Sequence, residues 1–186
     1  MSHVPQDVYL FPMSFAQSRF WFLEQLEPGT SLYAMPFAVR MHGQVDTDAL
    51  SVALNEVVRR HESLRTTFDV IDGQPTQLIH PERLIPLPVK DYISDSILAA
   101  DAEALCTGFD LAQGPLIRAL LIRISLDEHI LLLAAHHIVC DGWSLQLLVR
   151  EMGVLYAARI VGQADVLPPL ELQYVDFACW QHDWLS

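Results

Sequence analysis

Basic residues are scarce in this chain: 11 Lys and Arg stand against 23 Asp and Glu, a formal net charge of −12 over 186 residues. A surface of that sign repels phosphate backbones and anionic headgroups, which argues against nucleic acid and membrane as partners. Cysteine is scarce too. Cys106, Cys140 and Cys179 are odd in number and far apart, so they spell neither a disulfide framework nor a paired zinc motif. A reducing cytoplasm is the simplest setting. There is no glycine-rich phosphate loop, which argues against a nucleotide-binding fold. No internal repeat or low-complexity tract is visible. No apolar run approaches a membrane span, and Met1 to Asp7 lacks the basic start and apolar core of a signal peptide. What is there is 52% hydrophobic and 18% charged, the balance of a folded soluble chain long enough for one domain with a sizeable core.

The pattern alternates between helical and extended spacing. Residues 14–26 read as a helix capped by Ser14, with Phe15, Phe22 and Leu26 near one face and Arg19 alongside. Residues 33–43 read as a strand. A helix over 47–61 carries the stripe Leu50, Ala53, Leu54, Val57 and Val58. Leu64 to Ile71 and Pro75 to Ile79 form a hairpin about Asp72-Gly73. Residues 81–88 are a proline-rich connecting or edge segment, and 95–107 a third helix. Leu116 to Ser125 and His129 to His136 read as strands. The run Ile130 to Ala135 is apolar on both alternating faces, as in a central strand covered on both sides. Helical spacing resumes from Ser144 to Arg159 through Leu147, Leu148, Glu151, Leu155 and Ala158. Pro168-Pro169 is a rigid connector, and the last helix covers about 173–184. Together these predict one α/β domain, a two-layer sandwich of sheet and helices.

The chemistry concentrates after the central strand, in His136-His137-Ile138-Val139-Cys140-Asp141-Gly142-Trp143-Ser144. Adjacent strand residues point to opposite sides, so one histidine is expected inside and one in a cleft. The same geometry disfavours a metal site, since neighbouring strand imidazoles rarely converge on one ion. His137 is the candidate general base, with an ordinary pKa of about 6.5 suited to taking a proton from an attacking amine or hydroxyl. The alternative is a hydrogen-bonded core histidine. Asp141 has two readings: the orienting carboxylate of a triad, or a structural ion at a helix entry that requires a cationic partner. Cys140 reads as packing before it reads as a nucleophile.

The His-His-x-x-x-Asp-Gly segment resembles the motif of condensation domains of nonribosomal peptide synthetases. Three further segments are similar to that family's motifs in the right order: Ser14 to Trp21, Arg60 to Phe68, and Tyr174 to Trp180. Phe109-Asp110-Leu111 with Gly114-Pro115-Leu116 fits as well. The resemblance implies a lobe like those of chloramphenicol acetyltransferase, with a mixed, largely antiparallel sheet covered by helices. It implies that residues 1–186 are the first of two such lobes, the second being absent, with apolar surface exposed where that second lobe sits. It implies an acyltransferase reaction in which a carrier-bound acyl or peptidyl thioester passes to the amine of a carrier-bound aminoacyl group, forming an amide. The lobe alone is expected to be inactive. His137 is then catalytic, as base or as positioner of the amine. By the resemblance His136, Asp141, Arg60 and Arg65 are structural, with Arg60 and Arg65 the implied cationic partners of Asp141 ahead of Arg19, and Gly142, Trp143 and Ser144 line the substrate tunnel. No cofactor or metal of its own is implied, because both substrates ride on phosphopantetheine arms. The implied partners are upstream and downstream carrier proteins, the second lobe and an adjoining adenylation domain. The histidine doublet separates the chain from heterocyclising relatives, and Trp143-Ser144-Leu145 from epimerising ones. A type joining L-configured donor to L-configured acceptor and a starter type with a fatty acyl donor both remain. Two other functions stay open: a non-catalytic lobe that docks a carrier protein, and an ester-forming acyltransferase.

Overall fold

The computed structural model describes residues 7–163 and 166–185; the segment 1–6 read above for a leader lies outside them. The first element, β1 (Tyr9–Pro12), pairs with β4 (Gln74–Ile79), which pairs with β3 (Thr66–Ile71) in a small antiparallel sheet. The β3–β4 turn places Asp72 at φ 51° and Gly73 at φ 78°. Positive φ at both central residues is the geometry that suits the twist of a two-residue hairpin. The larger sheet has the order β2 (Ala34–His42), β7 (Glu128–His136), β6 (Ile117–Ser125), β5 (Val89–Asp91). Its pairs are antiparallel except β5–β6, so the sheet is mixed and largely antiparallel as expected.

The alternation in β6 and β7 sorts residues between two layers. Leu131, Leu133, Ile117, Ala119 and Leu121 join the main core with α2 (Thr47–Arg60) and α4 (Gly142–Ile160). Leu120, Ile122, Ile130 and Leu132 face the other way, against α3 (Asp95–Cys106) and Tyr92. The central strand is therefore covered on both sides, which is why it carries no polar face. The α2 stripe is buried as its spacing predicts.

The first helix, α1 (Phe15–Leu26), turns the face of Phe15, Phe22 and Leu26 outward. Phe15, Phe22 and Leu26 are exposed, while Gln17 and Glu24 are buried. Gln17 closes a capping box with Ser14, and Glu24 accepts from the Gly29 N–H at 2.6 Å. The polar side of α1 thus faces in because it has backbone donors to satisfy. The last helix, α5 (Tyr174–Leu185), docks on this start: Tyr174 bonds Ser14 Oγ at 2.9 Å, Gln181 accepts from Phe15 N–H, and His182 Nε2 donates to the Met13 carbonyl.

Candidate active site

Strand β7 ends by pinning both histidine backbones. The His136 N–H donates to the Leu116 carbonyl at 2.9 Å, and the His137 N–H to the Tyr33 carbonyl at 2.8 Å. The side chains then part. His136 is wholly buried, edge-on to Phe109, with Nδ1 accepting from the Ile138 N–H at 3.2 Å. Burial pushes its pKa down to about 4, with the neighbouring His137 adding to the effect. Its Nε2 lies 3.6 Å from Glu24 Oε2. That separation would suit an ion pair between charged groups, yet burial also raises the Glu24 carboxyl against the lowering effect of the Gly29 N–H. Desolvation of both partners outweighs their attraction, so we take the imidazole as neutral.

His137 is half-buried and enters a cleft of about 410 Å³. Its ring stacks on Phe20, 4.8 Å between centroids at 17°, which fixes the plane of the imidazole. All four motif segments reach this cleft: Phe20 from the first, His61 and Ser63 from the second, His137 to Asp141 from the third, Tyr174 from the fourth. Hydrogen bonds tie them together. Gln173, just before α5, donates through Nε2 to the Arg60 carbonyl at 3.0 Å and accepts from the Glu62 N–H at 3.1 Å.

Asp141 departs from its expected arginine pairing. Among the described residues no ion pair joins it to Arg60, Arg65 or Arg19. It caps α4 instead, its Oδ1 accepting from Ser144 N–H at 2.7 Å and Ser144 Oγ at 2.6 Å. These two bonds hold its carboxyl below the ordinary range. Exposure explains the correction, since a carboxylate open to water needs no buried cation. Arg60 instead meets the buried Glu151 at 3.1 Å, further along α4. Arg65 bonds Glu62 at 3.2 Å and the His80 carbonyl. Arg19 lies exposed on α1. Replacing Asp141 with alanine is expected to lower stability by about 1 kcal/mol through loss of the cap, and Asp141→Asn to retain most of it. Urea unfolding of both variants checks this.

The expected tunnel residues divide. Ser144 lines the cleft. Trp143 does not: it is 81% exposed and lines a separate groove with Gln146, Leu147 and Arg150. As the first turn of α4 begins at Gly142, Trp143 and Ser144 leave the helix in different directions. Gly142 is exposed, with open space where a Cβ would stand.

Cys140 is 5% exposed, and burial with the Asp141 charge pushes its thiol up to about 12. A thiol so seldom ionised is a poor nucleophile. Iodoacetamide at neutral pH is expected to modify the half-buried Cys179 first and to reach Cys140 only on unfolding. Mass spectrometry of the labelled peptides reads this, and rapid native labelling of Cys140 contradicts it. Among the described residues no cluster of metal-ligating side chains occurs, and no helix is long and apolar enough to cross a membrane.

Sequence reasoning passed over the cleft's second imidazole. His61 Nε2 meets Glu151 Oε2 at 2.7 Å. The signal was Glu151 itself, a carboxylate within the apolar stripe of α4, since a buried charge requires partners.

The model of the family described as Condensation domain matches residues 6–186. A linear gramicidin synthase of Brevibacillus parabrevis is 45% identical over 98% of this chain and 2% of its own length. Cyclosporin synthetase of Tolypocladium inflatum is 46% identical over 96% of this chain and 1% of its own. Among solved structures, the X-domain from teicoplanin biosynthesis superposes with a TM-score of 0.86 at 31% identity, over all of this chain and 40% of that one. The starter condensation domain of rhizomide synthetase shares the fold, with a TM-score of 0.83 at 21% identity, over 95% of this chain and 44% of that one. The chain therefore spans a small fraction of its curated relatives and less than half of these solved chains.

Proposed function

This chain belongs to the condensation-domain family, and we propose that it is the first lobe of such a domain, contributing the histidine for amide formation. The donor is an acyl or peptidyl thioester, the acceptor the amine of an aminoacyl group, both on the phosphopantetheine arms of carrier proteins. The observation that carries this reading is the separation of the doublet. His136 is sealed and neutral, while His137 faces a cleft with its plane set by Phe20. An imidazole so held can take the proton of an amine as its nitrogen attacks the thioester carbon, and return it to the leaving thiolate.

The outer face of α5 supports a second lobe. Tyr174, Phe177, Trp180 and Trp184 run along it in ring contact, exposed by 39–70%. An apolar row of that kind marks an interaction surface. On this reading the second lobe supplies the opposite wall of the cleft, and the first lobe alone is expected to be inactive.

The test joins this lobe to the second lobe of a matched condensation domain. It supplies a donor thioester and an aminoacyl thioester on their carriers and measures amide by mass spectrometry. Product from the joined domain and none from the lobe alone is expected. An acceptor bearing a hydroxyl in place of the amine separates amide from ester formation. A second reading is a lobe that docks a partner without turnover. The solved X-domain from teicoplanin biosynthesis, 31% identical, also forms a complex with OxyB. Carrier binding without product would favour that reading.

A further inference from the structure

Resting on that reaction, we propose that His61 is a second proton acceptor of the cleft, one that neutralises the acceptor's ammonium before His137 acts. His61 lines the same cleft as His137. Its Nε2 lies 2.7 Å from Glu151 Oε2, and Arg60 Nε meets the same oxygen at 3.1 Å. A carboxylate engaged with a guanidinium only accepts hydrogen bonds, so Nε2 carries a proton, and in the neutral ring Nδ1 is the nitrogen with the lone pair. Nδ1 makes no hydrogen bond among the described residues, and it is not among the buried unpartnered atoms. It therefore keeps some access to solvent, on a side chain that is 15% exposed. A carboxylate that sets the tautomer and orientation of an imidazole is the arrangement of hydrolytic triads. Here Glu151 and His61 form it, not Asp141 and His137.

The chemistry calls for such a group. An α-amine has a pKa of about 8, so much of the acceptor arrives as an ammonium with no lone pair to attack. The ammonium gives one proton to His61 Nδ1. The amine nitrogen then forms the C–N bond to the thioester carbon and passes its second proton to His137. The C–S bond breaks, and His137 returns that proton to the thiolate sulfur. His61 releases the first proton to water. The sum is ammonium plus thioester giving amide, thiol and one H⁺. One imidazole that hands its proton to sulfur has no capacity for the other.

The experiment uses the joined domain carrying His61→Gln or His61→Asn, whose amides keep an N–H for Glu151. Two acceptors are compared: an aminoacyl thioester, and its aminooxy analogue, which is already neutral at pH 7. The turnover rate is expected to fall tenfold or more with the aminoacyl acceptor at pH 7. It should recover toward the parent rate at pH 9, and change little with the aminooxy acceptor at either pH. Thermal unfolding of the variants confirms that they fold. An equal loss with both acceptors at both pH values makes His61 merely structural, and no loss makes it idle; either overturns the proposal. Absence of product from the unsubstituted joined domain, or full activity in His137→Ala, strikes the reaction itself and is read separately.

Discussion

Replacing His137 with alanine in the joined domain is expected to lower the turnover rate by about 100-fold or more while leaving the unfolding midpoint nearly unchanged. The two outcomes part because the residue's structural work is done by its backbone. The N–H that extends the strand ladder to Tyr33 survives the substitution, and the ring is only half-buried, in contact with Phe20. Little apolar burial is lost. The reaction loses its properly placed acceptor nitrogen. His137→Gln separates the two roles for this imidazole. Glutamine can hydrogen-bond the amine but cannot take its proton at neutral pH. Substantial activity in that variant assigns positioning, and a loss as deep as alanine's assigns base catalysis. Product at the parent rate from His137→Ala would end the case for catalysis at this residue.

Much of this arrangement could be read in advance, and the misses have physical causes. The α2 stripe and the two-sided apolar run of β7 are strong signals because burial dictates every position. The opposed histidines follow from the alternation of a strand. The weak β1 and β5 escaped because they are four and three residues long. Proline ends β1 and precedes β5, and both strands lie at sheet edges. Glu62–Arg65, read partly as strand, is a 3₁₀ turn that brings His61 and Ser63 to the cleft. The outward apolar face of α1 and the unexpected partner of Arg60 share one origin. Hydrophobicity alone aims helix faces, whereas here buried carboxylates set them: Glu24 turns α1 inward toward Gly29 and His136, and Glu151 draws Arg60 away from Asp141. Composition does not show which carboxylate a given arginine reaches, because helix packing decides it.

Acidification should destabilise the chain through the other histidine. With Nδ1 occupied by the Ile138 N–H, the His136 ring carries its proton on Nε2. Protonation adds a second proton at Nδ1. It removes the acceptor of a buried N–H and places a charge where no water reaches. The folded pKa is about 4 against 6.5 for the free side chain. Between those values the unfolded chain binds more protons than the folded one, so stability rises with pH. It is fully present above 6.5 and is lost as pH falls toward 4, by about 3 kcal/mol in total. Glu24 acts with the opposite sign, since its raised carboxyl favours the folded state as pH falls, but the Gly29 N–H limits that effect. Other carboxylates also weaken the fold in acid, so the test is a difference. His136→Gln keeps an acceptor for Ile138 and has no titrating group. Urea unfolding of both proteins from pH 7 to 4 should show the parent losing about 3 kcal/mol more than the variant. Parallel curves would mean that the ring is not held neutral, and with it would go the contrast between the two histidines on which the reading of His137 depends.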